Sequence, residues 1–206
     1  MAVTRVVSLL LCAFVACADD DPITFTAVTF NTGTTENMGS DEHPDGYTEA
    51  HELVSDAHYG NGLAWLPAVR AAEAFFAELQ PDVVAFQEIF HPGDCPLVPE
   101  ADRVGFVCED WSEGDPTVAQ VILGAGYQVA CNLGKPDKCI AVRRAFGTIR
   151  GCDGDLCLDG LAGGRVPDCG GGSRVGRAEV ELVDEAGLAT GGVLTVVSVH
   201  GSSGFG

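Results

Sequence analysis

The alternation of apolar and polar positions predicts a strand, an amphipathic helix and a second strand in the first half of the chain. Residues 24–31 are rich in β-branched and aromatic residues, which favours a strand. Apolar side chains recur at three- and four-residue spacing over residues 66–79, which indicates a helix that Pro81 ends. Residues 83–86 are a short apolar run, typical of a buried strand. The polar, glycine-containing residues 32–62 are predicted to be a loop.

The second half of the chain predicts mainly strands. Asp115 followed by Pro116 has the form of a helix N-cap with proline at the first helical position, so a short helix is expected there. Strand, helix and strand in this order favour layered α/β packing. Apolar or alternating runs place the later strands at residues 127–130, 140–143, 178–182 and 193–200.

The N-terminus has the pattern of an export signal. A positive charge precedes an apolar run over residues 6–15, and small residues follow it. Residues 14–17 (Phe-Val-Ala-Cys) resemble a bacterial lipobox, in which Cys17 becomes lipidated and attaches the mature protein to a membrane. Residues 16–18 also fit ordinary signal cleavage and secretion. We expect residues 1–18 to be the export signal of an envelope lipoprotein, the preferred interpretation, or of a secreted protein.

The cysteines of the exported part are expected to form disulfides. The chain has nine cysteines, and seven remain after the export signal. Close spacing predicts Cys95 with Cys108 and Cys131 with Cys139, and leaves the other pairings open. Residues 150–172, rich in glycine and aspartate, are predicted to be an excursion held by disulfides. An odd number leaves one thiol either free or paired with a cysteine further along.

Charge is distributed unevenly along this acidic chain. The formal net charge is −19, which disfavours a long polyanionic partner such as DNA. Eight of the eleven basic residues nevertheless lie between positions 135 and 177, where five acidic residues leave a local charge of +3. This segment is interpreted either as a phosphate-facing patch or as a run of solvated charges.

Polar side chains end the two strands of the first half. Asn31 ends the first strand, and Gln87 and Glu88 end the second. Polar groups at the ends of neighbouring buried strands are well placed to line a common cleft. A carboxylate beside an amide oxygen suits Mg²⁺, which binds one or two carboxylates and keeps several waters. Taken singly, Asn31 is better explained as the start of a turn, and Glu88 as a solvated strand end.

The combination resembles the endonuclease/exonuclease/phosphatase superfamily, which includes deoxyribonucleases, abasic-site endonucleases, sphingomyelinases and inositol-phosphate phosphatases. The most specific element is residues 81–88, Pro-Asp-Val-Val-Ala-Phe-Gln-Glu, after a strand that ends in Asn31. Residues 177–180 and 195–200 look like the central strand pair of that family. The resemblance covers about residues 24–200.

The resemblance implies a role for each candidate residue. Glu88 would be the principal metal ligand, and Asn31 would help to hold the metal or the phosphate beside it. The implied cofactor is Mg²⁺ or another divalent cation, which neutralises developing charge on a phosphoryl oxygen. His200 matches the histidine that contacts the scissile phosphate. Arg177 would clamp a phosphate oxygen, although that role for Arg174, or a plain surface salt bridge for Arg177, fits almost as well.

The implied fold is α/β, with two packed, mostly antiparallel β-sheets flanked by helices in a four-layer sandwich. Residues 19–206 would supply its N-terminal portion. Family members carry a later G-D-x-N segment and an Asp-His pair that complete the catalytic site, and neither follows His200. We therefore expect a fragment that is incomplete at the C-terminus and lacks the C-terminal catalytic half.

The implied function of the full-length protein is metal-dependent hydrolysis of a phosphate ester outside the cytoplasm. The sequence does not choose among nucleic acid, a phospholipid headgroup and a small phosphate as substrate, and it does not indicate an oligomeric state. The alternative is a catalytically inactive surface lipoprotein that serves as a binding module on the same scaffold. Its acidic surface and disulfide-rich insertions are compatible with that function.

Overall fold

A computed structural model describes residues 23–33, 44–60, 62–166 and 174–201 of the chain. The described α-helices are α1 (Glu49–Val54), α2 (Leu66–Leu79) and α3 (Val118–Leu123). The described strands are β1 (Ala27–Asn31), β2 (Val83–Gln87), β3 (Tyr127–Asn132), β4 (Lys135–Arg143), β5 (Gly147–Ile149), β6 (Leu156–Cys157), β7 (Ala162–Arg165), β8 (Arg174–Val183) and β9 (Ala189–His200). A π-helical turn (Ser55–Tyr59) and two 3₁₀ helices (Pro92–Leu97 and Glu100–Asp102) complete the regular structure described.

The strands form two sheets. The first has the order β1-β2-β4-β3-β6, with parallel pairs at its two ends and antiparallel pairs in its centre. The second is antiparallel: β8 pairs with β5 and β7 along one edge and with β9 along the other. The predicted α/β class, with two mostly antiparallel sheets, is confirmed.

The sheets pack face to face through the alternate apolar positions of their long strands. Val83, Ile140 and Val142 of the first sheet share a buried cluster with Ala178 and Val180 of the second. Successive side chains point to opposite faces of a strand, so the intervening residues face away from this cluster. A two-sheet core therefore results, with the ends of β2 and β9 on neighbouring layers.

The helices cover the opposite face of the first sheet. Phe76 of α2 lies with its ring centroid 6.1 Å from that of Phe86 in β2, and Phe30 of β1 lies 6.2 Å from the same ring. The predicted helix over residues 66–79 and the predicted strand over residues 83–86 are thus confirmed. This aromatic layer fixes β1 and β2 side by side, and both lead to the candidate site.

Two local predictions were wrong. Residues 32–62 were predicted to be a loop, but this segment contains α1 and the π-helical turn. The ring centroids of His51, in α1, and Trp65 are 4.3 Å apart. Tertiary contacts stabilise a helix that its polar sequence did not indicate. The N-cap of α3 is Thr117, not Asp115, because Thr117 and Gln120 form a reciprocal capping box.

Three disulfides are present in the described part of the chain. The predicted pairs Cys95–Cys108 and Cys131–Cys139 are confirmed, and Cys152–Cys157 lies in the predicted excursion. Disulfides on this scale fit a protein that folds outside the cytoplasm. The predicted export signal with Cys17 lies outside the described residues. None of the helices in the described ranges combines the length and apolar character that a membrane span requires.

Candidate functional site

The ends of β1 and β2 lie side by side. The two strands are parallel, with Asn31 in register with Gln87, so both end at the same edge of the sheet. The Thr32 amide donates to the Gln87 carbonyl at 3.0 Å, and the Thr32 hydroxyl donates to the Glu88 carbonyl at 2.6 Å. These bonds hold Asn31 and Glu88 next to each other.

Glu88 leaves the strand through a left-handed backbone conformation. Its φ is 61°, one of two positive values among the described non-glycine residues. Such a conformation costs about 1–3 kcal/mol and persists only where surrounding contacts hold it. The next amide, that of Ile89, donates to the Asp137 carbonyl at 2.9 Å and supplies one of those contacts. The turn redirects the Glu88 carboxylate away from the sheet ladder.

The carboxylate of Glu88 meets the imidazole of His200. Nε2 of His200, at the end of β9, lies 3.2 Å from Oε1 of Glu88. The His200 side chain is 10 % exposed and that of Glu88 33 % exposed, so the pair lies at the boundary between core and solvent. Nδ1 of His200 is buried and has no hydrogen-bond partner among the described residues. It therefore faces the protein interior.

A buried hydrogen-bond network links the two sheets next to this pair. Gln87 donates through Nε2 to the Ser198 hydroxyl at 3.1 Å, and its Oε1 accepts from the Thr29 hydroxyl at 3.3 Å. Ser198 is two residues before His200 on the same face of β9. The network thus positions His200 opposite Glu88, and the sequence analysis did not identify Ser198.

Asn31 reaches the same edge with its side chain partly used. Its Oδ1 accepts a hydrogen bond from the Gly33 amide at 2.7 Å, the pattern of an Asx turn. This hydrogen bond agrees with the interpretation of Asn31 as the start of a turn. A carbonyl oxygen keeps a second lone pair, so metal or phosphate binding by Asn31 stays a prediction.

Arg177 is not brought to the Glu88–His200 pair. It lies at an exposed position of β8, between buried Gly176 and Ala178, and its guanidinium is 3.7 Å from Glu179 on the same face. That face points away from the first sheet. The residue in register with His200 is Arg174, which occupies the alternate set of positions. The geometry thus gives Arg174 the better position of the two for the phosphate-clamping role.

A pocket of about 400 Å³ opens beside Glu88. Its walls come from the π-helical turn, from the segment after Glu88 and from the hairpin between β3 and β4; they include Tyr59, His91, Lys135 and Asp137. The sequence did not indicate these residues, because they approach Glu88 only when β4 pairs with β2 and the helical segment folds over the strand ends.

Burial raises the pKa of Tyr59 in this pocket wall from 10.0 to about 12. The Asp102 charge raises the pKa further, while that of Arg103 lowers it. The hydroxyl donates to the Asp102 carbonyl at 3.1 Å.

In Tyr59→Phe, the tyrosine titration step at the most alkaline pH is expected to disappear. Because the folded pKa is raised, the contribution of Tyr59 to stability is complete below pH 10 and is lost as the pH rises towards 12. Ultraviolet titration of tyrosinate measures this step, with Tyr127→Phe as the control for another buried tyrosine. A step near pH 12 that persists in Tyr59→Phe would contradict the assignment.

The donor set at Glu88 fits a hard cation with a largely aqueous coordination shell. Within the described ranges, no three His, Cys, Asp or Glu side chains converge into a complete metal cage. Mg²⁺ does not require one, since it binds through one or two carboxylates and retains water. The partly exposed carboxylate of Glu88, with the Asn31 oxygen at the neighbouring strand end, meets that requirement.

Most of the described basic residues between positions 135 and 177 form ion pairs with nearby acidic residues. The pairs are Lys138–Asp137, Arg143–Asp82, Arg144–Asp155, Arg150–Glu179, Arg150–Glu181 and Arg177–Glu179. These pairs favour the interpretation of solvated, paired charges over a continuous phosphate-facing patch. Lys135 shares Asp137 with Lys138, at 3.5 Å, and also lines the pocket beside Glu88.

Comparison with known proteins adds no relative to this description. No protein-family model, no curated protein and no solved structure matches the chain.

Proposed function

We propose that the protein is a metal-dependent phosphoesterase that acts outside the cytoplasm and hydrolyses phosphodiesters or phosphomonoesters. The observation that carries the proposal is the Glu88–His200 pair, 3.2 Å apart where strands of both sheets end, beside an open pocket. The sequence of residues 81–88 supports it through its resemblance to the endonuclease/exonuclease/phosphatase superfamily.

Glu88 holds the divalent cation in this proposal, with Asn31 at the neighbouring strand end. The bound cation supplies Lewis-acid stabilisation of charge on the phosphoryl oxygens. The left-handed backbone at Glu88 and its hydrogen-bonded neighbours keep the carboxylate in place before substrate arrives. Such preorganisation avoids the cost of ordering the ligand during the reaction.

His200 binds the phosphate in this proposal. Glu88, 3.2 Å from Nε2 of His200, holds the imidazole in place at the strand ends, and the partly exposed edge of the ring donates to a phosphoryl oxygen. A donor in a partly desolvated site stabilises developing charge more strongly than one in water. Deprotonation of the attacking water is not assigned to these residues, because the resemblance places that role in the later Asp-His segment.

Hydrolysis of bis(p-nitrophenyl) phosphate tests the proposal. The protein is expected to release p-nitrophenol with Mg²⁺, to stop when EDTA removes the cation, and to recover when Mg²⁺ is restored. Activity that EDTA leaves unchanged would refute the metal-dependent mechanism.

The binding module is the second candidate function. The observation that favours it is that, among the described residues around the Glu88–His200 pair, none is assigned to activate the attacking water. In that case inorganic phosphate binds with Mg²⁺ but no ester is hydrolysed. Calorimetric titration with phosphate, next to the hydrolysis assay, separates the two functions.

Export through residues 1–18 belongs to the same proposal, with Cys17 as the lipidated first residue of the mature protein. The disulfides support a location outside the cytoplasm and do not distinguish a lipoprotein from a secreted form. Mass spectrometry of the mature N-terminus distinguishes them: a diacylglyceryl cysteine supports the lipoprotein, and an unmodified N-terminus refutes it.

A further inference from the structure

The hairpin between β3 and β4 holds Lys135 at the pocket. Asn132 and Lys135 face each other across its tip, where Gly134 adopts a φ of 68°. The disulfide Cys131–Cys139 joins the two strands just behind the tip. The buried Asn132 amide donates to the Val175 carbonyl at 3.3 Å and ties the hairpin to the second sheet. The backbone of Lys135 is therefore presented on a rigid support.

A backbone hydrogen bond joins the two segments that bring Lys135 and Glu88 to the same pocket. The Ile89 amide, next to Glu88, donates to the Asp137 carbonyl at 2.9 Å, and Asp137 is two residues from Lys135. Both Glu88 and Lys135 line the pocket. Of the residues in its wall, all of which the structure describes, Lys135 is the only lysine or arginine.

The charge of Lys135 is poorly compensated. Lys138, whose side chain is 4 % exposed, lies 2.9 Å from Oδ2 of Asp137, and Lys135 lies 3.5 Å from the same oxygen. One carboxylate neutralises one ammonium group, and the buried Lys138 depends on it most, because an unpaired buried charge is costly. The 38 % exposed Lys135 is left with a long contact that it can exchange for another anion.

We propose that Lys135 binds a second anionic group of the substrate, beside the phosphate held at Glu88 and His200. This inference rests on the proposed function and narrows its substrate class to phosphate esters that carry another phosphate nearby. Lysine acts in such contacts as a point charge on a flexible stem, which suits a group of variable position. Asp94 of the 3₁₀ helix and Asp137 of the hairpin also line the pocket, so the second phosphate is placed at the Lys135 ammonium itself.

Binding of matched ligands tests this role without requiring turnover. Isothermal titration calorimetry with Mg²⁺ compares thymidine 3′,5′-bisphosphate with thymidine 5′-monophosphate, and fructose 1,6-bisphosphate with fructose 6-phosphate. We expect the full chain to bind one or both bisphosphates about fivefold more tightly than the matched monophosphate, the upper range for an exposed ion pair. Lys135→Gln is expected to remove that preference and to leave monophosphate affinity within about twofold.

Arg150→Gln is the control variant. Arg150 also contacts two carboxylates, those of Glu179 and Glu181, at 3.7 and 3.5 Å. Its replacement by glutamine removes the same positive charge at a position outside the pocket. Its bisphosphate preference is expected to equal that of the unmodified chain. A preference in the nucleoside pair alone supports the proposal and identifies a nucleotide; a preference in both supports a general second-phosphate site.

Two results would overturn the inference. One is a bisphosphate preference that Lys135→Gln retains, and the other is equal binding of the matched ligands by the unmodified chain. If monophosphate binding remains Mg²⁺-dependent and is lost in Glu88→Gln, the proposed function stands while the role of Lys135 fails. If no phosphate binds with Mg²⁺, both fail together.

Discussion

Glu88→Gln is expected to lower Mg²⁺-dependent phosphoester hydrolysis by about 10²–10³-fold, the usual consequence of removing one preorganised electrostatic group. Glutamine keeps the size and the strained backbone of Glu88 but removes the negative charge that faces His200 Nε2 at 3.2 Å and that we propose binds the cation. Both functions of the carboxylate are therefore lost while the shape of the pocket is preserved. Initial rates at saturating Mg²⁺ measure the effect.

Glu73→Gln serves as the matched control for this substitution. Glu73 is an exposed residue of α2, outside the pocket wall, and its replacement makes the same chemical change. Its activity is expected to stay within about twofold of the unmodified protein, since exposed substitutions have small effects. Full activity of Glu88→Gln, alongside an unchanged Mg²⁺ requirement, would show that the cation is bound elsewhere.

Phe86→Ala is expected to lower the free energy of unfolding by about 3–5 kcal/mol, the range for a buried aromatic side chain replaced by alanine. Phe86 is fully buried, and its ring contacts the layer formed by Phe30 and Phe76. The cavity left behind cannot collapse easily, because β2 is paired on both sides. Urea unfolding with the disulfides intact measures the change.

Phe75→Ala is the control that distinguishes the loss of a buried aromatic ring from the loss of an exposed one. Phe75 is adjacent to Phe76 on α2 but is 56 % exposed. Its replacement is expected to cost less than about 1 kcal/mol. Equal destabilisation by the two substitutions would be inconsistent with the aromatic layer between α2 and β2 as the core of this half.

The long periodic segments were predictable because an element that buries one face needs apolar residues at its own period. The apolar stripe over residues 66–79 has the helical period, and the alternation over residues 178–182 has the strand period. Two disulfides were predictable for a related reason, since closely spaced cysteines in adjacent segments have few other partners. The short capped helix α3 was predicted to begin two residues too early, because two candidate caps, Asp115 and Thr117, lie close together and only packing selects between them.

The candidate site was predictable only in part. The polar ends of β1 and β2 were visible in the sequence, and parallel pairing accounts for their proximity. Arg177 was selected over Arg174 from the same segment, but strand register decides which of them faces the first sheet. A shift of one residue exchanges the two faces, and local sequence carries little information about register.

Local spacing along the chain accounts for the periodic elements, the segments that carry polar groups at strand ends, and the cysteines available for pairing, because each segment contains that spacing in full. The contacts of His200 with Glu88 and of Ser198 with Gln87, and the position of Lys135 at the same pocket, exist only in the folded structure. These contacts join residues far apart in the chain, and they depend on the order of strands in two sheets and on how the sheets pack.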